Sequence, residues 1–332
     1  MKNSIVRTIA LCSFVALAAS CGSSATSSDT PQSTESSTPT PATTSTSTSA
    51  TTLQSENDVI VNTWVGPPAD TTKLPIGTSK VSLTEPTVGG LYACDAGNAN
   101  GGGAHTVGPW INEADGTWDL SQKVSVQGEV SWPMASYSEK IEGDSRVITS
   151  NGLPVGEITG TFPIASDDPA YSYDRNPNKI GSSEVTISIP ASPAMAATPT
   201  CLGKGRLGIL KNGVSLFASL DERNRDAVAY ETQDKCDGHP QQTSVYHYHD
   251  IPSCIRNAAV GASTVVGFAH DGFPIVVERD VNGDLPTNAD LDRCHGRTSQ
   301  IELDGKLVEM YHYSATYEFP YFIGCFSGTP IP

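Results

Sequence analysis

The chain has 332 residues, a formal net charge of −16 at pH 7 and eight cysteines. Its acidic residues are spread along the sequence, and such a surface argues against nucleic acid or anionic lipid as a charge-driven partner. With 30 glycines and 23 prolines, the composition is typical of a turn-rich β-protein rather than a helical one.

The first 20 residues have the pattern of a signal peptide. Lys2 and Arg7 precede an apolar run, residues 8–20, that is too short to span a bilayer. The run ends in Leu-Ala-Ala-Ser-Cys, which resembles a lipobox, and the resemblance implies cleavage before Cys21 and lipid attachment to its sulfur. We therefore predict a membrane-anchored lipoprotein outside the cytoplasm, at the cell surface or the periplasmic face, with an ordinary secretory signal as the alternative.

A tether is predicted next, over residues 21–56, which are nearly all Ser, Thr, Pro, Ala and Gly and contain no aromatic residue. Such a segment cannot bury enough apolar surface to offset the entropy of ordering it. Residues 57–332 then form the folded part, and their histidine-rich portion is residues 201–332. The tether is expected to hold this domain away from the membrane.

The folded part is dominated by strand patterns. β-Branched runs bounded by Gly, Pro or Asp predict strands at residues 58–61, 123–126, 184–189 and 264–266. Asn212-Gly213 and Asp304-Gly305 each separate two strand-like runs and predict hairpins with type I′ turns. The best helical candidate, residues 253–260, is short. These patterns predict a mainly-β domain, an antiparallel β-sandwich or a barrel-like sheet.

The cysteines of the folded part number six, an even count that predicts three disulfides in an exported protein. Six cysteines allow 15 pairings, so the sequence leaves the connectivity open. We favour the pairs Cys236–Cys254, Cys294–Cys325 and Cys94–Cys201.

Two segments of the C-terminal part repeat one pattern. Residues 234–239 read Asp-Lys-Cys-Asp-Gly-His and precede Tyr246-His247-Tyr248-His249. Residues 292–297 read Asp-Arg-Cys-His-Gly-Arg and precede Tyr311-His312-Tyr313. Six of the seven histidines lie in this part of the chain. The repeat predicts two related hairpins that face a common site.

These motifs resemble the YHYH-domain family of exported bacterial proteins. The resemblance includes the first repeated segment, the run His-Asp-Gly-Phe-Pro-Ile at residues 270–275, the second repeated segment and the closing run at residues 319–328. It extends from about residue 152 to the C-terminus, and it implies little about activity. The chemistry must therefore come from the residues themselves.

Alternating side chains on a strand place His247 and His249 on one face, where both imidazoles can bind one ion. We predict a transition-metal site, with copper(II) or zinc as the expected ion and iron(II) as another option. Tyrosines beside the histidines are expected to be hydrogen-bond partners of the ligands or a rigid apolar wall. The predicted metal ligands are His239, His247, His249, His270 and His312, with His295 and Asp271 as further candidates. The predicted flanking tyrosines are Tyr246, Tyr248, Tyr311 and Tyr313.

Other readings of the sequence remain open. The run from Asp280 resembles the start of an EF-hand calcium loop, but Leu291 stands where its final carboxylate belongs. A binding module for a glycan or an envelope protein would use the Tyr/His cluster as its contact surface. A metal-dependent enzyme is a further alternative, although the standard hydrolase signatures are absent from the sequence. Histidines that only stabilise the fold through hydrogen bonds are the structural alternative.

Overall fold

The structure is a computed structural model that describes residues 59–331, and β-strands are its main regular elements. The strands are β1 (Leu74–Pro75), β2 (Val81–Ser82), β3 (Leu91–Tyr92), β4 (Ile111–Asn112), β5 (Thr117–Trp118), β6 (Val130–Ser131), β7 (Tyr137–Glu142), β8 (Ser145–Ser150), β9 (Ile158–Thr159), β10 (Val185–Pro190), β11 (Met195–Thr200), β12 (Arg206–Leu210), β13 (Ser215–Phe217), β14 (Gly238–Pro240), β15 (Tyr246–Tyr248), β16 (Ser263–Ala269), β17 (Pro274–Glu278), β18 (Gly296–Leu303), β19 (Lys306–Ser314) and β20 (Phe326–Gly328). The helices are α1 (Ala227–Tyr230), α2 (Ser253–Ala258) and short 3-10 turns at Gly77–Lys80, Leu120–Gln122, Pro169–Ser172 and Asn288–Asp290. The predicted mainly-β class is confirmed.

The predicted lipid-bearing Cys21, the signal peptide and the tether lie outside the described residues. Within residues 59–331, no helix is long and apolar enough to cross a membrane. The described residues belong to one compact unit, Asn57–Pro332.

An eight-stranded sheet forms the centre of this unit, in the order β14-β15-β13-β12-β16-β17-β19-β18. Most of its pairs are antiparallel, as predicted, but β15 runs parallel to β13 and β19 runs parallel to β17. Antiparallel pairing of β12 with β16 joins two halves of four strands each. Each half is a hairpin with a second hairpin laid parallel along its outer strand, so the sheet contains an internal repeat.

The repeat extends to matched residues. Gly238 pairs with Tyr248 in the first half, and Gly296 pairs with Tyr313 in the second. A Cβ atom on Gly238 would lie 2.2 Å from the Tyr246 hydroxyl oxygen, and one on Gly296 would lie 2.3 Å from that of Tyr311. Both glycines are therefore required by the close approach of a tyrosine. This explains why the Asp-x-Cys-x-Gly turn recurs before each Tyr-His-Tyr strand.

The outer hairpins lie at opposite ends of the sheet order, with four strands between β15 and β19. Neighbouring strands are spaced by about 4.8 Å, so β15 and β19 are about five strand spacings apart along the sheet. The expectation that the two hairpins face a common site is therefore wrong. Each hairpin has its own surroundings, and the sequence repeat reflects the sheet's two halves.

Of the predicted strands and turns, some are confirmed and others are wrong. Residues 123–126 form no strand, and neither do residues 59–61, the described part of the predicted strand 58–61. Val126 and Asn62 make only isolated bridges. The hairpins over Asn212-Gly213 and Asp304-Gly305 are present. Asp304 and Gly305 both have positive φ, as a type I′ turn requires, whereas at the other turn only Gly213 does. The side chain of Asn212 instead accepts from the Val214 N–H, which fixes a different turn.

One hydrophobic core connects the N-terminal residues to the central sheet. Leu74, Trp110 and Trp118 belong to the same buried cluster as Tyr248 and Tyr313. Three disulfides stabilise the unit, and they are the pairs that the sequence analysis favoured. They are Cys94–Cys201, Cys236–Cys254 and Cys294–Cys325.

Candidate metal centre

Three histidines meet at the end of the sheet formed by β14 and β15. His239 lies on β14 directly opposite His247 on β15, and His249 follows two residues later on the same face. The three side chains are nearly inaccessible to solvent, with 4–5% of their surface exposed. They form a group whose ligand atoms all lie within 4.8 Å of one another. We call His239, His247 and His249 the histidine triad.

The ring nitrogens of the triad point toward one another. The Nε2 atom of His249 lies 3.1 Å from Nε2 of His247 and 3.1 Å from Nε2 of His239. Zinc–nitrogen bonds of about 2.0–2.1 Å in a tetrahedral site separate two ligand nitrogens by about 3.3 Å. The two 3.1 Å separations are therefore close to the spacing of imidazole nitrogens around one metal ion.

The opposite ring nitrogens show which tautomer His247 and His249 adopt. Nδ1 of His247 lies 3.2 Å from the Val245 carbonyl oxygen, and Nδ1 of His249 lies 2.5 Å from that of Ala218. A carbonyl only accepts, so both Nδ1 atoms carry the proton and donate it. The two Nε2 atoms then face each other with lone pairs, which repel unless a cation lies between them. Carbonyl partners of this kind also orient metal-binding imidazoles.

Burial keeps the triad uncharged. It lowers the pKa of His239 and His247 well below the ordinary value, and that of His249 to about 4. At neutral pH all three rings are therefore neutral. Neutral imidazole is the form that binds metal ions.

A carboxylate that the sequence analysis did not select lies beside the triad. Oε2 of Glu231 is 3.4 Å from Nε2 of His249 and 3.6 Å from Nε2 of His239. Burial, together with nearby Asp221 and Asp174, raises the pKa of Glu231 well above its ordinary value. Glu231 is the C-cap residue of α1. In the sequence, only its position after the apolar run Ala-Val-Ala-Tyr could have indicated a buried carboxylate.

The glycine-rich loop at residues 101–105 covers this carboxylate. A Cβ atom on Gly103 would lie 2.7 Å from Oε1 of Glu231, and Gly103 has a φ of +105°. Only glycine combines that backbone conformation with so close an approach. The loop therefore closes the Glu231 side of the triad.

The tyrosines of the Tyr-His-Tyr strands are not hydrogen-bond partners of the histidines, as one expectation had it. Alternation of side chains places them on the opposite face of the sheet. The hydroxyl of Tyr246 donates to Asp234, and that of Tyr248 accepts from the Asn212 amide. In the second half, Tyr311 donates to Asp292 and Tyr313 donates to Asp271. These buried hydrogen bonds hold the two strands in place on the face opposite the histidines. The ring stacked on His247 is Phe217, with centroids 4.2 Å apart.

The second half of the sheet has an ion-pair network where the first half has the triad. Aligning the repeats puts Arg297 at the position of His239, His312 at that of His247 and Ser314 at that of His249. Nε2 of His312 lies 3.0 Å from Oε2 of Glu278, and Ser314 donates to the same oxygen. Burial alone would raise the pKa of Glu278, but His312 and Arg297 hold it below its ordinary value. Nε of Arg297 lies 3.8 Å from Oε1 of Glu278, so a guanidinium stands here in place of a third imidazole.

The remaining predicted ligands are dispersed. Nε2 of His295 contacts the Thr316 hydroxyl oxygen at 3.0 Å. The carboxylate of Asp271 accepts from Tyr313 and from the Gly328 N–H. Half-buried His270 joins no group of three or more ligand atoms among residues 59–331, and neither do His295, His312 and Asp271. The structure therefore unites three of the five main candidates.

The run from Asp280 that resembles the start of a calcium loop is a tight turn. Oδ1 of Asp280 accepts hydrogen bonds from the backbone N–H groups of Asn282 and Asp284. The oxygen that would be the first calcium ligand is therefore engaged in hydrogen bonds inside the turn.

These features define a disulfide-bonded, mainly-β protein with a buried tri-histidine cluster compatible with metal binding. Residues 186–285 match the family described as YHYH protein. The matched segment includes the triad and ends before Tyr311-His312-Tyr313. Neither a curated protein nor a solved structure shows a significant match to the chain.

Proposed function

We propose that the protein binds one transition-metal ion, copper(II) or zinc, through the histidine triad, with Glu231 as the fourth protein ligand. The observation that carries the proposal is the 3.1 Å contact between Nε2 of His247 and Nε2 of His249, because both Nδ1 atoms face carbonyls. Nε2 of His239 lies at the same distance from Nε2 of His249. Buried lone pairs facing each other are unfavourable without a cation between them. A structural role through hydrogen bonding alone leaves this repulsion unexplained.

The donor set indicates which ions fit. Three imidazoles and a carboxylate suit zinc or copper(II), whereas copper(I) prefers thiolate or thioether ligands. In the described part of the chain every cysteine is in a disulfide. Four protein ligands in a buried setting are typical of sites that hold a metal rather than of catalytic sites with an open position. Metal binding or storage is therefore favoured over catalysis.

The rival in which the Tyr/His cluster is a contact surface has little support. Tyr246 and Tyr248 have no exposed surface, and the triad is almost fully buried. A partner protein or glycan cannot reach these side chains without opening the sheet.

The test is metal analysis of the purified protein after exposure to copper(II), zinc or iron(II) and removal of excess ion. The wild-type protein should retain one equivalent, and a His247→Ala/His249→Ala variant should retain none. His295→Asn is the matched control, because it changes a buried histidine away from the triad. Absence of stoichiometric metal in the wild-type protein would overturn the proposal.

The location of this activity is a separate part of the proposal. The lipobox-like sequence supports a lipid anchor at Cys21, which would hold the metal site outside the cytoplasm. A Cys21→Ser variant should lose the lipid and leave the membrane fraction. Retention of unmodified protein in that fraction would contradict the anchor without affecting the metal site.

A further inference from the structure

A cleft of about 350 Å³ opens between side chains from residues 71–123 and side chains from residues 228–321. Trp118, Leu120 and Lys123 line it from the N-terminal side, and Asp250, Arg256 and Tyr317 line it from the other side. A second, smaller cleft of about 200 Å³ also contacts Leu120 and Lys123. The volume is in the range of small-molecule sites.

Two buried charged groups on the cleft lack partners for one polar atom each. Oδ1 of Asp250 and Nε of Arg256 have no hydrogen-bond partner within the described residues, although both side chains are at least nine-tenths buried. Nη1 of Arg256 does bond to the Ile251 carbonyl, and it lies 3.6 Å from Oδ2 of Asp250. Unpaired buried acceptors and donors are unfavourable, so an atom from outside the chain is expected to satisfy them.

The charges on the cleft limit what can bind. The lining contains two basic residues, Lys123 and Arg256, and two acidic ones, Asp237 and Asp250. Because the lining is balanced, it does not favour a ligand with a strong net charge. The ligand must accept from Nε of Arg256 and exchange a hydrogen bond with Oδ1 of Asp250. A hydroxyl group does both, and neighbouring hydroxyls can serve the two atoms together.

Aromatic and apolar groups complete the lining. The guanidinium of Arg256 lies over the Tyr317 ring, 4.7 Å from its centroid, which fixes the direction of its N–H groups. Trp118 and Leu120 supply apolar contacts beside these polar atoms. Rigid side chains that pair apolar surface with fixed polar groups are suited to ligands with both C–H and hydroxyl surface.

We propose that this cleft binds a neutral polyhydroxylated small molecule, a sugar of pyranose size. The site is distinct from the proposed metal centre: Asp250 follows His249 in the chain, but the groups offered to the sugar are not metal ligands. The N-terminal residues 59–150, which lie outside the family match, contribute one wall of the cleft. Sugar binding is thus a property of the whole folded unit.

The test is ligand-observed NMR and calorimetry on the full-length, metal-loaded protein. The probes are glucose, galactose, mannose and N-acetylglucosamine, with glycine and glutamate as zwitterionic or charged comparisons. At least one sugar should bind, and Asp250→Asn and Arg256→Met should each weaken it about tenfold or more. Asp167→Asn, a change at an exposed carboxylate outside the cleft lining, is the matched control and should bind as wild type.

A second variant covers the risk that a buried substitution disturbs folding. Asn257 lies at the cleft and is exposed, so Asn257→Trp fills the cleft from its rim without changing the core. It should abolish sugar binding while metal content and the unfolding temperature stay at wild-type values. No binding of any sugar, binding of amino acids alone, or unchanged sugar binding in Asn257→Trp would each overturn the proposal.

Discussion

Replacing His249 by Asn removes the ring nitrogen that lies 3.1 Å from both other members of the triad. The shorter amide can still donate to the Ala218 carbonyl, so the local backbone contact is retained while Nε2 is lost. Loss of an outer-sphere partner of a metal ligand commonly costs 10–100-fold in affinity. Loss of the central ligand itself should therefore weaken metal binding by about 100-fold or more.

The weaker metal binding of His249→Asn should also reduce the stability that the metal adds to the folded state. Free metal at about 100 times the wild-type Kd stabilises the folded state by about 2.7 kcal/mol. A 100-fold weaker site at that concentration gains only about 0.4 kcal/mol, so the variant should lose about 2.3 kcal/mol of metal-dependent stabilisation. Competition with a chromophoric chelator measures the affinity, and urea unfolding with and without metal measures the stabilisation.

His295→Asn is the control for this experiment. Its backbone φ is +70°, a conformation that Asn tolerates, and the residue is as buried as the triad. Its metal affinity should equal that of the wild-type protein. Wild-type affinity in His249→Asn, or an equal loss in His295→Asn, would refute the assignment of the triad as the ligand set.

Three further predictions concern other parts of the fold. Burial lowers the pKa of His295 from 6.5 to about 3, so the unfolded state binds a proton that the folded state does not, and stability falls as the pH drops through this window. At pH 5 the free energy of unfolding should be about 2 kcal/mol lower than at neutral pH because of this residue. Urea unfolding of the metal-free protein should therefore show a flatter pH dependence for His295→Asn. An Arg297→His/Ser314→His variant should bind two metal equivalents by metal analysis, because it restores three imidazoles at the second end, whereas Arg297→His alone should bind one. Removing Cys94–Cys201, which closes a separation of 107 residues, should lower the free energy of unfolding in urea by about 5 kcal/mol, and a loss below that of the shorter-loop disulfides would contradict the loop-entropy reasoning.

Turns and alternation could be predicted because they depend on near neighbours in the chain. Asp304-Gly305 accepts positive φ at both residues, and the hairpin over it follows. The Asn212-Gly213 hairpin also formed, but its turn type differs because the Asn212 side chain bonds to the Val214 N–H and to Tyr248. The second of these bonds joins residues 36 apart, which no local pattern could indicate.

The metal site also combines features that depend on near neighbours with features that depend on distant ones. The sequence determined that His247 and His249 share one face of a strand, because successive side chains alternate. Only the tertiary structure decided that His239 completes the triad, through the register of β14 against β15, and that Glu231 lies beside it. It also separated His312 from the triad, because the order of strands in a sheet depends on contacts between distant segments. Local chain geometry thus determined the His-x-His pair, whereas long-range pairing decided which other side chains reached it.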